Sequence, residues 1–427
     1  MPEPRPPTVA VSELRVGLYI YLDRGWMDHP FLRNHFKITT QEQINSIHSL
    51  GLQELRYAPE LSDAHALPGA AAPEGSPTDP TAPPASAPRA APASADPVDP
   101  WTKSCSRCER EHAASRSAVK AAFEQLPSTP VAAAQASQAL VQTLIGQMLE
   151  QQESALRLLA DTSADHRVQH ALNVSVLSLL LGRALGLPAD ELHTLGLAGL
   201  LHDVGKIDLP EQVRYQIAAL NASHQKIYRE HVGYSLAWGR RMGLAAPVLE
   251  AIAQHHEFAD GSGFPQALRA EQIGNAGGIL ALVNHYDSLC NPHNPLEAVT
   301  PHEALSILFS QHKTRHKHHT LSAFIRMMGI YPPGSVVQLS DERYAVVVSV
   351  NAARPLKPEV MVYEFRAAHA DVVHLIDLQQ EPQLSIQRSL RPQQLPRPVL
   401  LCLSPKPRYC YFFERALDPA GRAGERQ

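Results

Sequence analysis

Cysteine, aromatic residues, long apolar runs and excess charge are all scarce in this chain, and each shortage excludes something. Five cysteines in 427 residues form an odd and sparse set, which speaks against a disulfide scaffold and for a reducing compartment. Cys105 and Cys108 make a lone Cys-Ser-Arg-Cys with no second pair, so a structural zinc site is not expected. Aromatic residues amount to 6%, which weakens the case for an extended base-stacking surface. A net charge of -4 gives no polyanion-binding character, and no nucleic-acid polymer is expected as a partner. No run of about twenty apolar residues occurs, and the opening Met-Pro-Glu-Pro-Arg-Pro-Pro has no apolar signal core; no membrane span and a cytoplasmic location are therefore expected. What is present is a globular hydrophobic content of 44%, in a chain long enough for two or three domains.

The expected architecture is multidomain: a small N-terminal α/β module, an all-α helical bundle core and a small C-terminal β-rich domain. Residues 8–65 read as the α/β module. A β-prone stretch runs from Val16 to Leu22, a Pro-broken aromatic loop from Trp26 to Phe31, a helix from Gln41 to Leu50 and a short strand from Leu52 to Tyr57. Residues 66–112 read as an Ala/Pro-rich disordered linker, because the stretch from Ala66 to Pro100 has almost no bulky apolar side chain with which to form a core. Residues 113–164 read as connecting helices, with helical spacing strongest from Gln138 to Ala160 and carried as far as Leu156 and Leu159.

Residues 165–329 read as all-helical. Helices are expected from His170 to Leu185, over the apolar run ending near Leu201, and from about Ala222 to Met242. Others are expected from Pro247 to His256, from Ile279 to Leu289 and from Pro301 to Ser310. The histidine-rich run Gln311 to His319 reads as a solvated face or loop. From residue 330 to 415 the pattern turns β-rich, with strands expected at Val336–Leu339, Ala345–Val350, Val360–Tyr363, Val372–Leu378 and Tyr409–Phe413.

The chemistry concentrates in the helical block. Leu195 to Leu201 is apolar all round and ends in His202-Asp203, with Lys206 one turn beyond. An imidazole and a carboxylate at the end of a buried helix are costly unless compensated, and a divalent cation compensates both. A capped helix end with a surface Asp is the plainer reading of that pair alone. His170, His231 and the adjacent His255-His256 lie where one bundle brings them together. Neighbouring ligands diverge by about 100° around a helix, so adjacent pairs suit two closely spaced ions better than one. Two ions about 3.5–4 Å apart are the usual arrangement for phosphodiester cleavage, and Lys206 would add positive charge for the transition state.

Four segments, in order and at matching spacing, carry a family resemblance: His170-Ala-Leu-Asn-Val, Leu200-Leu-His-Asp-Val-Gly-Lys-Ile, Arg229-Glu-His-Val-Gly, and His255-His-Glu-Phe-Ala-Asp-Gly-Ser-Gly-Phe-Pro265. The block resembles the HD-GYP family, a branch of the HD phosphohydrolases that hydrolyse the bacterial second messenger cyclic di-GMP. Residues 8–65 resemble the uncharacterised domain that often precedes it. The resemblance implies two divalent ions, Fe or Mn, held by His170, His202, Asp203, His231, His255, His256 and Asn284. Lys206 and Asp203 would be catalytic, with Lys206 on the scissile phosphate. The loop Asp260, Gly261, Gly263, Phe264 and Pro265 would shape the substrate entrance and a protein contact. Implied partners are cyclic di-GMP, diguanylate cyclase (GGDEF) proteins and a second copy of the chain.

Several positions depart from the family pattern. Asn284 stands where the family has a ligand Asp, and a neutral carbonyl is a poorer ligand. His166 replaces the Glu that goes with a third ion. Phe258 replaces an Arg, and Cys290-Asn-Pro-His-Asn-Pro295 replaces a basic segment that grips phosphate. Two readings follow: a metal-dependent phosphodiesterase giving linear pGpG or GMP, or a catalytically degenerate domain that binds nucleotide or a partner.

Overall fold

The computed structural model describes residues 7–23, 35–68, 100–149, 154–159, 165–215, 220–351, 354–365, 372–405 and 408–415. The loop expected at Trp26–Phe31 and most of the expected linker lie outside the described residues. The chain divides into two compact units. The first is 1–103 with short segments 363–374 and 401–404, and the second is 104–362 with 375–400 and 405–427.

The first unit carries the α/β module. Strands β1 (Thr8–Ala10), β2 (Tyr19–Tyr21), β3 (His35–Lys37) and β4 (Glu54–Tyr57) form an antiparallel sheet in the order β1-β4-β2-β3, accompanied by helix α1 (Gln41–Ser49). Thr40 starts α1 through a capping box with Gln43, which satisfies donors that a helix N-terminus leaves free. Leu18, Ile20 and Leu22 alternate inward and pack with Ile38, Ile44, Ile47 and Leu55, as period-two burial on one sheet face requires.

The second unit contains helices α2 (Pro100–Gln125, from Ser104 onward), α3 (Pro130–Leu149), α4 (His166–Ala184), α5 (Ala189–Leu201), α6 (Glu211–Arg214), α7 (Ala222–Arg229), α8 (His231–Arg241), α9 (Ala246–Gln254), α10 (Asn275–Cys290), α11 (Pro301–Ser310) and α12 (His318–Met328). Every residue of α4 from Val168 to Gly182 is buried. It is the bundle's central helix, enclosed all round with its polar Gln169, His170, Asn173, Ser175 and Ser178 buried among the apolar residues, with α5 and α10 packed on it and α9 behind α5.

Two expectations about the connecting region are corrected here. The linker was expected to last to residue 112, but α2 is already helical from Pro100. Its Cys105, Cys108 and His112 are buried, so this segment has more to pack than its composition suggests. Helix was also expected through Leu159, but α3 stops at Leu149 and Ser154–Leu159 is a strand, β5. Six residues of mostly apolar chain do not distinguish helix from strand by spacing. The deciding factor is distant: β5 pairs antiparallel with β11 (Cys410–Arg415) and with β7 (Tyr344–Asn351).

These strands belong to a sheet ordered β10-β6-β7-β5-β11, with β6 at Val336–Leu339 and β10 at Ile386–Leu390, and with β8 (Glu359–Glu364) also on β7; β9 is Val372–Asp377. Strand β10 had no counterpart in the sequence reading. Buried Arg157 on β5 meets Glu414 on β11 at 2.5 Å and Glu359 on β8 at 3.1 Å. A buried guanidinium tolerates that position only with such partners.

Candidate metal centre

The site is assembled from helix ends. His202 is the C-cap of α5, His255 is the C-cap of α9, and His231 opens α8. Each ring donates from Nδ1 to the carbonyl three residues earlier: His202 to Gly199 at 2.8 Å, His231 to Tyr228 at 2.5 Å and His255 to Ile252 at 2.6 Å. Carbonyls near a helix end lack their usual amide partners, so the same local geometry recurs three times. A neutral imidazole has one N–H. With it committed at Nδ1, the lone pair at Nε2 points into the site.

Those lone pairs face one another. Nε2 of His231 and Nε2 of His255 are 3.2 Å apart, with no proton left to share between them. Asp203 lies between the two halves of the site. Its Oδ1 is 3.4 and 3.7 Å from Nε2 of His231 and His255, and its Oδ2 is 3.5 and 3.3 Å from Nε2 of His170 and His202. Asp203 Oδ1 and His256 Nε2 are buried without a hydrogen-bond partner. Two groups, His170-His202-Asp203 and Asp203-His231-His255-His256, thus bring ligand atoms close enough to hold one cation each, with Asp203 common to both. Converging acceptors around orphaned buried atoms are a poor protein core and a good cation site, and the imidazole and carboxylate donor set suits Fe, Mn or Zn.

Electrostatics agree with that reading. Burial pulls His202 down to about 4 and His231 to about 3, and holds His256 well below its ordinary value; all three are neutral and ligand-ready at neutral pH. Burial works against Asp203 as a carboxylate, but the Lys206 ammonium and the surrounding histidines outweigh it and hold the group ionised. Lys206 Nζ is 2.5 Å from Asp203 Oδ2, and this pairing raises its own pKa in spite of burial. Burial would lower His170, but hydrogen bonds to Asp203 and Asp287 reverse the effect and raise it to about 9.

Asp287 is the residue that sequence reasoning undervalued. It accepts from His170 Nδ1 at 2.6 Å and from the side-chain amides of Asn173 and Asn291 at 2.8 and 2.9 Å. Both amides also donate to the Tyr409 carbonyl, at 2.8 and 3.0 Å, so β11 is tied to the back of the site. A fully buried carboxylate in the apolar helix α10 had to be paired; that was the available signal. Asn284 is buried on the same helix, one turn before Asp287.

The Gly-rich loop reaches the site through one ring. Phe264 stacks on His256 at 4.4 Å and 20°. Glu257 holds the loop by accepting from the backbone amides of Gln266 (2.6 Å) and Leu268 (2.9 Å). A Cβ at Gly263 would lie 2.4–2.5 Å from backbone atoms of Phe258, Glu257 and His256, so only glycine lets the loop return so closely. Asp260 is exposed and closes the turn onto Ser262, and Gly261 takes a φ of 81°. Neither these two nor Gly263, Phe264 and Pro265 line the cavity beside the metal groups, whose volume is about 420 Å³ and whose wall includes His170, Asp203, Lys206 and His256.

The expected solvated character of Gln311–His319 holds at Gln311, Lys313, Thr314, His318 and His319, which are exposed, and fails at one position. His316 is buried, its Nε2 lies 3.1 Å from His285 Nδ1, and α12 begins at His318.

Comparison with known proteins matches residues 154–319 to the HD domain, residues 8–136 to a domain of unknown function (DUF3391), and residues 336–397 to a KOW domain associated with HD domain. A cyclic di-GMP phosphodiesterase of Pseudomonas aeruginosa is 27% identical over 363 residues, covering 83% of this chain and 84% of that protein. The cyclic di-GMP phosphodiesterase response regulator RpfG of Xanthomonas campestris is 31% identical over 134 residues, or 31% of this chain and 35% of that protein. A 3'3'-cGAMP-specific phosphodiesterase 1 of Vibrio cholerae is 28% identical over 148 residues, or 35% of this chain and 34% of that protein. Among solved structures, an HDG"Y"P protein from Bdellovibrio bacteriovorus aligns over 74% of this chain and 97% of its own, at TM-score 0.40 and 15% identity.

Proposed function

From the match of residues 154–319 to the HD domain, we propose that this chain is a metal-dependent phosphodiesterase that opens cyclic di-GMP to linear pGpG or GMP. One observation carries the reading: the facing lone pairs of His231 and His255 beside an unpartnered, buried Asp203 Oδ1 are accounted for by cations and by little else. His170, His202 and one oxygen of Asp203 would hold one ion, and His231, His255, His256 and the other oxygen a second. Bound there, the ions would supply an activated water and neutralise the attacked phosphate.

The protein's own groups have separate tasks. Asp203 keeps the two ligand sets in register by sharing its oxygens between them. Lys206, on the cavity wall and protonated throughout the neutral range, offers its remaining N–H bonds to a phosphate oxygen as charge builds there. The three backbone carbonyls fix the tautomers of His202, His231 and His255, and Asp287 holds the Nδ1 proton of His170, so that ring becomes a ligand by giving up its Nε2 proton without rotating.

Asn284 in place of the family's Asp favours a second reading, a degenerate domain that binds the nucleotide without cleaving it. The test is product formation from cyclic di-GMP by the full chain loaded with Fe or Mn, with 3'3'-cGAMP as the competing substrate. Turnover that Asp203→Asn abolishes supports the phosphodiesterase. No product from protein carrying its full metal complement contradicts it and favours the degenerate reading.

A further inference from the structure

The family's phosphate-gripping segment is Cys290–Pro295 here and contains no Lys or Arg, yet it still lines the cavity through Asn291, Pro292 and His293. The positive charge of the wall comes from elsewhere. Besides Lys206, already engaged with Asp203, the cations among the described lining residues are Arg167 on the first turn of α4 and Arg214 on α6. Arg214 donates to the carbonyls of Ile207 and Leu209, so its position is fixed, while its buried Nε has no partner. Arg167 is exposed, with Asp165 3.5 Å away as its one acidic neighbour in an ion pair. Glu297 stands on the rim, exposed and bonded to Asn294.

The same cavity is lined by a set of rings. Tyr215 and His293 lie 5.9 Å apart at 31°, and Arg214 sits 5.8 Å over Tyr215. His293 meets His166 edge-on at 5.4 Å, and His166 lies parallel to His170 at 6.1 Å. Tyr215, His293, His166 and His170 thus form a continuous row of rings along the cavity wall that ends at a metal-ligand candidate. Flat rings beside guanidinium planes are what a nucleobase stacks on, and a fixed guanidinium suits the phosphate attached to it.

We propose that Tyr215 and His293, flanked by Arg167 and Arg214, form the subsite for the nucleotide half that is not being cut, the rings taking its base and the arginines its phosphate. The assignment rests on the phosphodiesterase reading for the identity of the ligand. It also moves the recognition charge of this chain from the loop after α10 to the start of α4 and the end of α6.

The test is equilibrium binding of cyclic di-GMP to the full chain, alongside its steady-state hydrolysis and metal content. Tyr215→Ala is expected to weaken binding and raise KM about 5- to 150-fold, the range for one base–ring stack, with metal content and melting temperature unchanged. Tyr215→Phe keeps the ring and is expected to restore binding. Arg167→Gln, an exposed change with little folding risk, is expected to weaken binding and flatten its salt dependence. Binding by Tyr215→Ala within twofold of wild type, or Tyr215→Phe as weak as Tyr215→Ala, overturns the subsite, as does a wild type that does not bind the dinucleotide. A wild type that binds it without cleaving it contradicts the phosphodiesterase instead. In that case, loss of binding in Tyr215→Ala still supports the subsite.

Discussion

At the scale of single residues, what sets this site apart is where the protons are, more than which ligands are present. Three imidazoles donate from Nδ1 to a backbone carbonyl, and a fourth, His170, donates from Nδ1 to Asp287. Replacing Asp287 with Asn keeps the shape but removes the charge that orients His170 and turns one of two accepting oxygens into an NH2 that faces donors. Second-layer changes of this kind typically cost about 10- to 100-fold in metal affinity. Asp287→Asn is therefore expected to lose the ion of the His170-His202 group first and to keep the one at His231-His255-His256, which a metal titration followed by elemental analysis resolves. Equal loss at both positions would mean that Asp287 supports the fold rather than one ligand. The ligand candidates were legible as residue types and spacings. The task of Asp287 was not, because it depends on which side of α10 faces α4, and positions two apart on that helix, His285 and Asp287, point to different partners.

At the scale of elements, the turn after α5 is the critical joint. The short helical turn Val204–Asp208 packs on α8 so closely that a Cβ on Gly205 would lie 2.2 Å from the Ser235 amide nitrogen and 2.4 Å from the His231 carbonyl. Both obstacles are backbone, so neither can rotate away. Gly205→Ala is expected to destabilise the protein by about 1–3 kcal/mol and to push His231 away from Asp203. Its thermal midpoint and its metal content should fall together, and a variant with normal metal content would contradict the role given to this contact. Helices α4, α5 and α8–α11 were readable in outline, because their apolar spacing and their stops are local. β5 and β10 were not. A six-residue apolar segment becomes a strand only because β7 and β11 offer it edges more than 180 residues away in sequence, and no local rule contains that information.

At the scale of the whole molecule, the second unit joins sheet and bundle into one body. The β11 backbone at Tyr409 and Tyr411 is bonded to Gln169, Asn173 and Asn291 beside the site, and α2 covers the same strand, with His112 buried edge-on to Phe412 at 5.7 Å. Burial pulls His112 down to about 4. Between the unfolded value near 6.5 and that folded value the unfolded chain binds the extra proton, so stability falls as pH drops through this window, by at most about 1.4 kcal/mol per pH unit. His112→Phe removes this term. Its stability relative to wild type, from urea midpoints, is expected to improve as pH falls from 6.5 toward 4 and to stay constant above 7; a pH-independent difference would contradict the burial of a neutral His112.

The central claim is that one carboxylate, Asp203, joins two cation sites. Elemental analysis of the purified full chain, wild type against Asp203→Asn, tests it most directly. Two divalent ions are expected per wild-type chain and fewer than one in the variant. A wild type with less than one ion per chain after loading, or a variant that retains both, would contradict it.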